Sequence, residues 1–375
     1  MPHLSKYRVA ILGASGYTGA DLIRLLVNHE NVEIVLLSAE RKAGMMIEDV
    51  YPHLAGYNLP DMISLEDIEW PAVDLDVVFC ALPHATSQAV IKGLLHAIKH
   101  SLLDEIIIEA TEDLTNQVKG DLRIIDLSAD FRLRDVDVYS EWYGVTHEAV
   151  DLQKRAVYGL PEFYRDDIKN AQLVACPGCY PTAALLALLP LLNAKKISPH
   201  DIIIDAKSGV SGAGRSVKET NLYVEVAEAM HPYGVGHHRH MPEIEQELSV
   251  ASGQEVMISF TPHLIPMNRG ELETIYVRMA DGLKACDIRA EWAKVYADNP
   301  FAMVLDEGKI PSTRMVRGSN RFALQAVDDR ISGRAILIVT IDNLVKGSSG
   351  QAIQNMNIML GLDEATGLKQ IAMFP

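Results

Sequence analysis

Cys179 stands in the run Ala175-Cys176-Pro177-Gly178-Cys179-Tyr180-Pro181-Thr182, after a short apolar stretch and ahead of the apolar segment 183–192. Gly178 permits a sharp turn, and Pro181 suits a first helical position, where a missing N–H costs nothing. The pattern predicts a thiol at the start of a buried helix. There, unpaired N–H groups and the positive end of the helix dipole favour thiolate, lowering the pKa from a free value of about 8.5. A nucleophile is one reading of such a cysteine. A small core residue is the other, and Cys176 fits that description better. Thiol chemistry needs a proton partner that works near neutral pH. Tyr233-Gly234-Val235-Gly236-His237-His238-Arg239-His240-Met241-Pro242-Glu243-Ile244 brings three imidazoles, a guanidinium and a carboxylate together before a helical pattern. A surface histidine cluster is the plain alternative. His238-x-His240-x-x-Glu243 is a weak metal motif, interrupted by Pro242 and lacking a matching ligand cluster, so no metal is expected.

The elements that must position these groups follow an alternating pattern. Tyr7-Arg8-Val9-Ala10-Ile11-Leu12 reads as a strand, Gly13-Ala14-Ser15-Gly16-Tyr17-Thr18-Gly19 as a glycine turn, and 21–27 as a helix. Strand, glycine turn and helix make an anion cradle: Gly13, Gly16 and Gly19 let the backbone approach, Ser15, Tyr17 and Thr18 line the turn, and the helix start faces a phosphate. The spacing is G-x-x-G-x-x-G, so the simple dinucleotide fingerprint is only partly met. Further strands are read at 32–37, 75–81, 106–110 and 123–127, with a helix from Thr86. Together these predict a doubly wound parallel sheet with its ligand across the carboxyl edge. The second strand ends Leu37-Ser38-Ala39-Glu40-Arg41-Lys42. Ser38 and Arg41 read as a 2′-phosphate site for NADP, although Glu40 leaves room for NAD and a solvated charged turn is the plain alternative. Arg132, in Asp126-Leu127-Ser128-Ala129-Asp130-Phe131-Arg132, is either a bidentate anchor for an anionic substrate or the partner of Asp130 or Asp135. A strand at 202–207 leads into a second glycine loop, Ser208-Gly209-Val210-Ser211-Gly212-Ala213-Gly214-Arg215. Its amides could approach a nicotinamide or a substrate phosphate, with Arg215 for charge.

Composition narrows the class. At 375 residues the chain exceeds one typical core, so two domains are expected. Four cysteines, only Cys176 and Cys179 close together, give neither a disulfide framework nor a zinc ribbon and predict a reducing compartment, the cytoplasm. The N-terminus reads as entering a strand directly, so no signal or transit segment is expected, and no apolar stretch is long enough to span a bilayer. With 50 acidic against 34 basic side chains, the net charge of −16 would repel nucleic acid and anionic membranes.

Taken in order, these motifs resemble those of N-acetyl-gamma-glutamyl-phosphate reductase, an NADPH enzyme of arginine biosynthesis. The resemblance rests on 13–19, 126–132, Tyr158-Gly159-Leu160-Pro161-Glu162, 175–190, 208–215, 238–244 and Asp342-Asn343-Leu344-Val345-Lys346-Gly347. It implies that Cys179 is the nucleophile and that His238 and His240 do acid/base work and polarisation. Arg132, Tyr233 and Glu243 would position substrate, with Arg215 beside it, and Asn343 would join Ser208, Gly209 and Gly212 by the cofactor, NADP(H). The implied fold is a Rossmann-type α/β domain, 1–178 with 346–375, plus an α+β catalytic and oligomerisation domain, 179–345, with a mostly antiparallel sheet at 256–264, 273–279 and 335–341. The implied reaction is thiolate attack on an acyl phosphate, loss of inorganic phosphate, hydride reduction of the thioester, and return of a proton to sulfur by a histidine. A homo-oligomer, dimer or tetramer, is implied as well. The chain departs from the pattern at Lys99 to Lys119, where it carries about a helix's length of extra residues. Three alternatives are a reductase of carrier-bound aminoadipyl phosphate in lysine biosynthesis, an aspartate-semialdehyde dehydrogenase, and a catalytically inactive NADP-sensing protein.

Overall fold

A computed structural model describes residues 6–105 and 122–374. The chain divides into two compact units, Met1–Cys176 with Ala352–Gly367, and Pro177–Gln351 with Leu368–Pro375. The sequence-based junctions after 178 and 345 differ from these, and Leu368–Pro375, expected in the first unit, belongs to the second. Residues 346–349 go with the second unit because they pack inside it. The Lys346 ammonium lies over the rings of Phe301 and Phe322, and a Cβ on Gly347 would come within 2.7 Å of the Cys179 Cβ.

The first unit holds β1 (Tyr7–Leu12), β2 (Val32–Ser38), β3 (Met62–Ile63), β4 (Val77–Cys80), β5 (Arg123–Asp126), β6 (Val157–Tyr158) and β7 (Leu173–Ala175). They form one sheet in the order β3-β2-β1-β4-β5-β7-β6, every pairing parallel. Parallel neighbours need crossovers, and helices such as Tyr17–Leu26 and Ser87–Glu105 provide them. Strands buried on both faces read as unbroken apolar runs, which is why Val9–Leu12 and Val77–Cys80 are buried throughout. The order reverses between β1 and β4, so the carboxyl ends of these two strands flank the crevice where such sheets bind ligands. The strand expected at 106–110 and most of the inserted stretch lie outside the described residues.

The second unit holds β8 (Ile202–Gly209), β9 (His231–Pro232), β10 (Ile258–Ile265), β11 (Glu271–Arg278), β12 (Ala302–Val304), β13 (Phe322–Asp328) and β14 (Arg334–Ile341). Their order is β12-β13-β14-β11-β8-β10-β9, antiparallel except for β12 with β13 and β8 with β10. Burial alternates along β10 and β11, the pattern of a sheet with one covered face.

The helix Cys179–Asn193 is buried from Tyr180 to Leu192 without a polar stripe, as a helix enclosed on all sides must be. Its Pro190 has no N–H for the carbonyl of Leu186, one turn earlier. The Tyr296 hydroxyl donates to that carbonyl at 2.6 Å, and the Trp292 indole N–H donates to the next, Ala187, at 2.9 Å. The helix is therefore held from a neighbouring element where its own ladder is broken. Pro181 is its third residue rather than its first, a position whose N–H would equally lack an intrahelical partner.

Candidate functional site

In the first unit the glycine turn is shaped by backbone contact. Gly13 has a φ of +83°, and a Cβ there would lie 2.3 Å from the Ala81 carbonyl oxygen; a Cβ on Gly19 would lie 2.5 Å from the Gly13 oxygen. Gly16 has room, with its nearest neighbour at 3.4 Å. The amides of Gly13 and Ala14 donate to the Ser38 carbonyl, which ties the turn to the end of β2. The Ser38 hydroxyl is buried and lies 3.4 Å from the Gly13 nitrogen, while the Tyr51 hydroxyl donates to the Ser15 carbonyl. Tyr17 and Thr18 open the helix Tyr17–Leu26, whose first turn carries no acidic residue and no side-chain cap. These residues fit a dinucleotide pyrophosphate, because a helix start without an anion of its own can accept one. At the end of β2, Glu40 accepts the Leu65 N–H at 3.1 Å, and Arg41 is exposed and engaged by no side chain among the described residues. Arg132 is buried, its guanidinium donating to the carbonyls of Cys176 at 2.7 Å and Leu127 at 3.1 Å.

The second unit gathers Cys179, Tyr233, His238, His240 and Glu243. Gly178 is the N-cap of the nucleophile helix, and its N–H donates to the Glu243 carboxylate at 2.9 Å. A Cβ on Gly178 would lie 2.4 Å from His240 Nε2, so the imidazole rests directly on the residue before the cysteine. Glycine is required there for the ring, not for an unusual φ. His238 packs edge-on to His240, Tyr180, Tyr233 and Phe260, with ring centres 4.9–5.8 Å apart. Its Nδ1 accepts the His240 backbone N–H at 3.1 Å, which leaves the proton of the neutral ring on Nε2. Burial, with Arg239 adding, pushes His238 down to about 4, so near neutral pH it is an uncharged donor. The Tyr233 hydroxyl donates to the Tyr180 hydroxyl, which donates to the His263 carbonyl. Among the described residues no group of three or more His, Cys, Asp and Glu has metal-binding geometry.

The thiol itself departs from expectation. Burial pushes Cys179 well above its ordinary value, and the charge of Glu271 and a hydrogen bond with it push the same way. The Tyr180 N–H acts in the expected direction and is outweighed. The helix start offers about half a charge, whereas removal from water beside a carboxyl opposes ionisation more strongly. Glu271 and Glu273 are fully buried, and neither was among the candidate residues. A signal was present: strand period puts 271, 273, 275 and 277 on one face, and two of these carboxyls share it with Ile275 and Val277.

The second glycine loop is closely held. A Cβ on Gly209 would meet the Met267 oxygen at 2.8 Å, and one on Gly212 the Ser208 hydroxyl at 3.0 Å. Asn343 ties the loop down, accepting from the Gly270 N–H at 2.8 Å and donating to the Ser211 hydroxyl at 2.9 Å. Ser208 is buried, and its hydroxyl donates to the Gly209 carbonyl. Arg215, just beyond, is exposed.

Residues 8–113 match the family model described as semialdehyde dehydrogenase, NAD binding domain, and residues 179–343 match semialdehyde dehydrogenase, dimerisation domain. Over 370 residues the chain is 54% identical to an N-acetyl-gamma-glutamyl-phosphate reductase of Rhodospirillum rubrum, with 99% of each chain covered. Another, from Afipia carboxidovorans, is 53% identical over 368 residues, covering 98% of this chain and 99% of that one. Among solved structures, aspartate semialdehyde dehydrogenase II from Vibrio cholerae shares the fold at a TM-score of 0.69 and 17% identity, with 95% of this chain and 99% of that chain covered. No helix among the described residues is long and apolar enough to cross a membrane.

Proposed function

The chain belongs to the N-acetyl-gamma-glutamyl-phosphate reductase family, and on that premise we propose that it converts N-acetyl-L-glutamyl 5-phosphate to N-acetyl-L-glutamate 5-semialdehyde through a thioester on Cys179. The observation that carries the reading is a cysteine at the first position of a buried helix, with the His240 ring on the glycine before it. The Cys179 thiolate attacks the acyl carbon, the bond to the phosphate oxygen breaks, and inorganic phosphate leaves. When bound, the nicotinamide dinucleotide supplies the hydride that reduces the acyl group. His240 serves as the acid/base, and His238, held neutral with its Nε2–H outward from the Nδ1 contact, polarises the acyl oxygen. Tyr233, Glu243, Arg132 and Arg215 position substrate, Glu243 doing so in part through its hold on the Gly178 N–H.

NADP(H) is the cofactor we infer. Gly13, Ser15, Gly16, Tyr17, Thr18 and Gly19 would hold the pyrophosphate, and Arg41 with Ser38 the 2′-phosphate, since Glu40 already spends an oxygen on the Leu65 N–H. Ser208, Gly209, Gly212 and Asn343 complete the cofactor residues. The first unit is then the dinucleotide domain and the second the catalytic and oligomerisation domain of a cytoplasmic dimer or tetramer. Turnover is tested with N-acetylglutamyl phosphate and NADPH, and in reverse by phosphate-dependent oxidation of the semialdehyde. A chain that ignores both and reduces aspartyl or carrier-bound aminoadipyl phosphate would overturn the assignment.

A further inference from the structure

We propose that Asp130 is a positioning residue for the dinucleotide: its buried carboxylate holds Ala85 in a left-handed conformation and so fixes the turn after β4, along which the nicotinamide half of the cofactor lies. The proposal rests on the reading of the first unit as a dinucleotide domain and gives a role to a carboxylate that this reading leaves idle.

Topology puts the turn in the right place. β1 stands between β2 and β4, and the Gly13 turn at its end is pressed against the end of β4, where the Ala81 carbonyl leaves no room for a Cβ on Gly13. With the pyrophosphate at the glycine turn and the 2′-phosphate at the end of β2, the other half of the dinucleotide crosses to the β4 side. There the chain runs through Leu82-Pro83-His84-Ala85-Thr86 into the helix Ser87–Glu105, with Pro83, His84 and Ala85 exposed.

Ala85 has a φ of +65°, a conformation that a Cβ disfavours. Its N–H donates to Asp130 Oδ1 at 2.8 Å, and the Gln88 N–H donates to Oδ2 at 3.3 Å, so one carboxylate takes an amide on each side of the step from turn to helix. The neighbouring residues return the hold: His84 Nδ1 accepts the Ala129 N–H at 3.1 Å. Asp130 is itself fixed from behind. It is fully buried, the Tyr139 hydroxyl donates to Oδ1 at 2.9 Å, and its own N–H donates to the Ser128 hydroxyl at 3.1 Å. His147 Nδ1 accepts the Ala149 N–H, which leaves the ring proton on Nε2 to bond the Asp130 carbonyl at 2.9 Å. A strained residue persists where its surroundings over-determine it, and such residues gather at ligand sites. A turn held this way is already ordered when the cofactor arrives, and binding loses no affinity to ordering it. Without the carboxylate, Ala85 relaxes to negative φ, the peptide planes on either side turn, and the wall is lost.

Affinity for NADPH, measured by fluorescence titration on protein whose folding is checked by Tm, tests this. Asp130→Ala should weaken NADPH by about ten- to a hundredfold, the worth of lost hydrogen bonds to a charged group. Adding Ala85→Gly to that variant should recover most of the loss, because glycine adopts positive φ unaided. A merely structural Asp130 would leave the double variant as weak as the single one. In the parent without cofactor, hydrogen exchange at single-residue resolution should find the Ala85 and Gln88 amides protected. Parent-like NADPH affinity in Asp130→Ala overturns the proposal, as does a double variant without recovery. So do Ala85 and Gln88 amides that exchange as fast as those of an unstructured peptide, whether or not Asp130→Ala folds. The failures are separable: a parent that binds neither NADPH nor NADH sinks the dinucleotide reading, whereas a parent and an Asp130→Ala variant that bind NADPH equally sink Asp130 alone.

Discussion

Two strand-to-helix turns in this molecule are built alike and surrounded differently. Gly13 to Gly19 and Pro177 to Cys179 each follow a buried parallel strand and open a helix behind a glycine N-cap. At the first, glycines clear the backbone and no acidic side chain enters the first helical turn. At the second, Glu243 takes the N-cap N–H, an imidazole lies on Gly178, and Glu271 meets the thiol. One start is open to an outside anion, and the other is crowded with the protein's own acids and bases. A helix terminus thus offers a field of fixed sign, while its neighbours decide whether an anion is bound there or held back.

The largest effect should come from the crowded turn. Cys179→Ala is expected to lower kcat by on the order of 10⁶-fold, as loss of a nucleophile does, while dinucleotide affinity measured by fluorescence titration stays at the parent value. Cofactor binding lost in parallel would show that the two turns are not functionally separable.

Next come substitutions that test the crowding itself. Gly178→Ala would drive a Cβ to 2.4 Å from His240 Nε2, and displacing that ring by about 1 Å should cost roughly 10²-fold in kcat. His240→Asn should cost at least as much, about 10²–10⁴-fold, and His238→Asn, which removes the donor to the acyl oxygen, about 10²–10³-fold in kcat. The matching change at the open turn, Gly16→Ala, meets nothing closer than 3.4 Å and should be mild. Equal penalties at Gly16 and Gly178 would erase the distinction.

At the open turn, the charge contact is the smaller lever. Arg41→Ala should reduce the preference for NADPH over NADH by roughly ten- to a hundredfold, the worth of a lost hydrogen bond to a charged group. An unchanged ratio of kcat/KM for the two cofactors would shift the 2′-phosphate to Ser38 or Lys42.

The remaining effect is a slope. Glu271 is raised from its ordinary 4.5 to about 8, so the folded protein keeps a proton that the unfolded chain loses above 4.5. Its contribution to stability is complete below that value and is lost as pH rises through 8. Glu271→Gln should therefore gain in Tm relative to the parent between pH 5 and pH 8. His238, shifted the other way, contributes above its ordinary 6.5 and loses that contribution as pH falls toward 4 in both proteins, so it cancels in the difference. A constant Tm gap across this range would mean that Glu271 ionises normally.

Local chain chemistry was legible wherever sequence neighbours determine it. The glycine turn, the buried helix after Cys179 and the parallel alternation all follow from residues within a few positions of one another. What sequence could not supply was the company each group keeps. Glu271 is 92 positions from Cys179 and reaches it through strand pairing, so a helix-start argument gave the wrong direction for the thiol. Asn343 bridges Gly270 and Ser211 for the same reason. Tyr296 repairs the break that Pro190 makes, which no local pattern announces.

The central claim is a covalent bond to one sulfur. Intact-protein and peptide mass spectrometry after mixing with N-acetylglutamyl phosphate, without dinucleotide, tests it directly. The account predicts an N-acetylglutamyl adduct on Cys179, released phosphate in equal amount, and loss of the adduct when NADPH is added. Phosphate release without an adduct, or an adduct on Cys80, Cys176 or Cys286 that NADPH leaves in place, would contradict it.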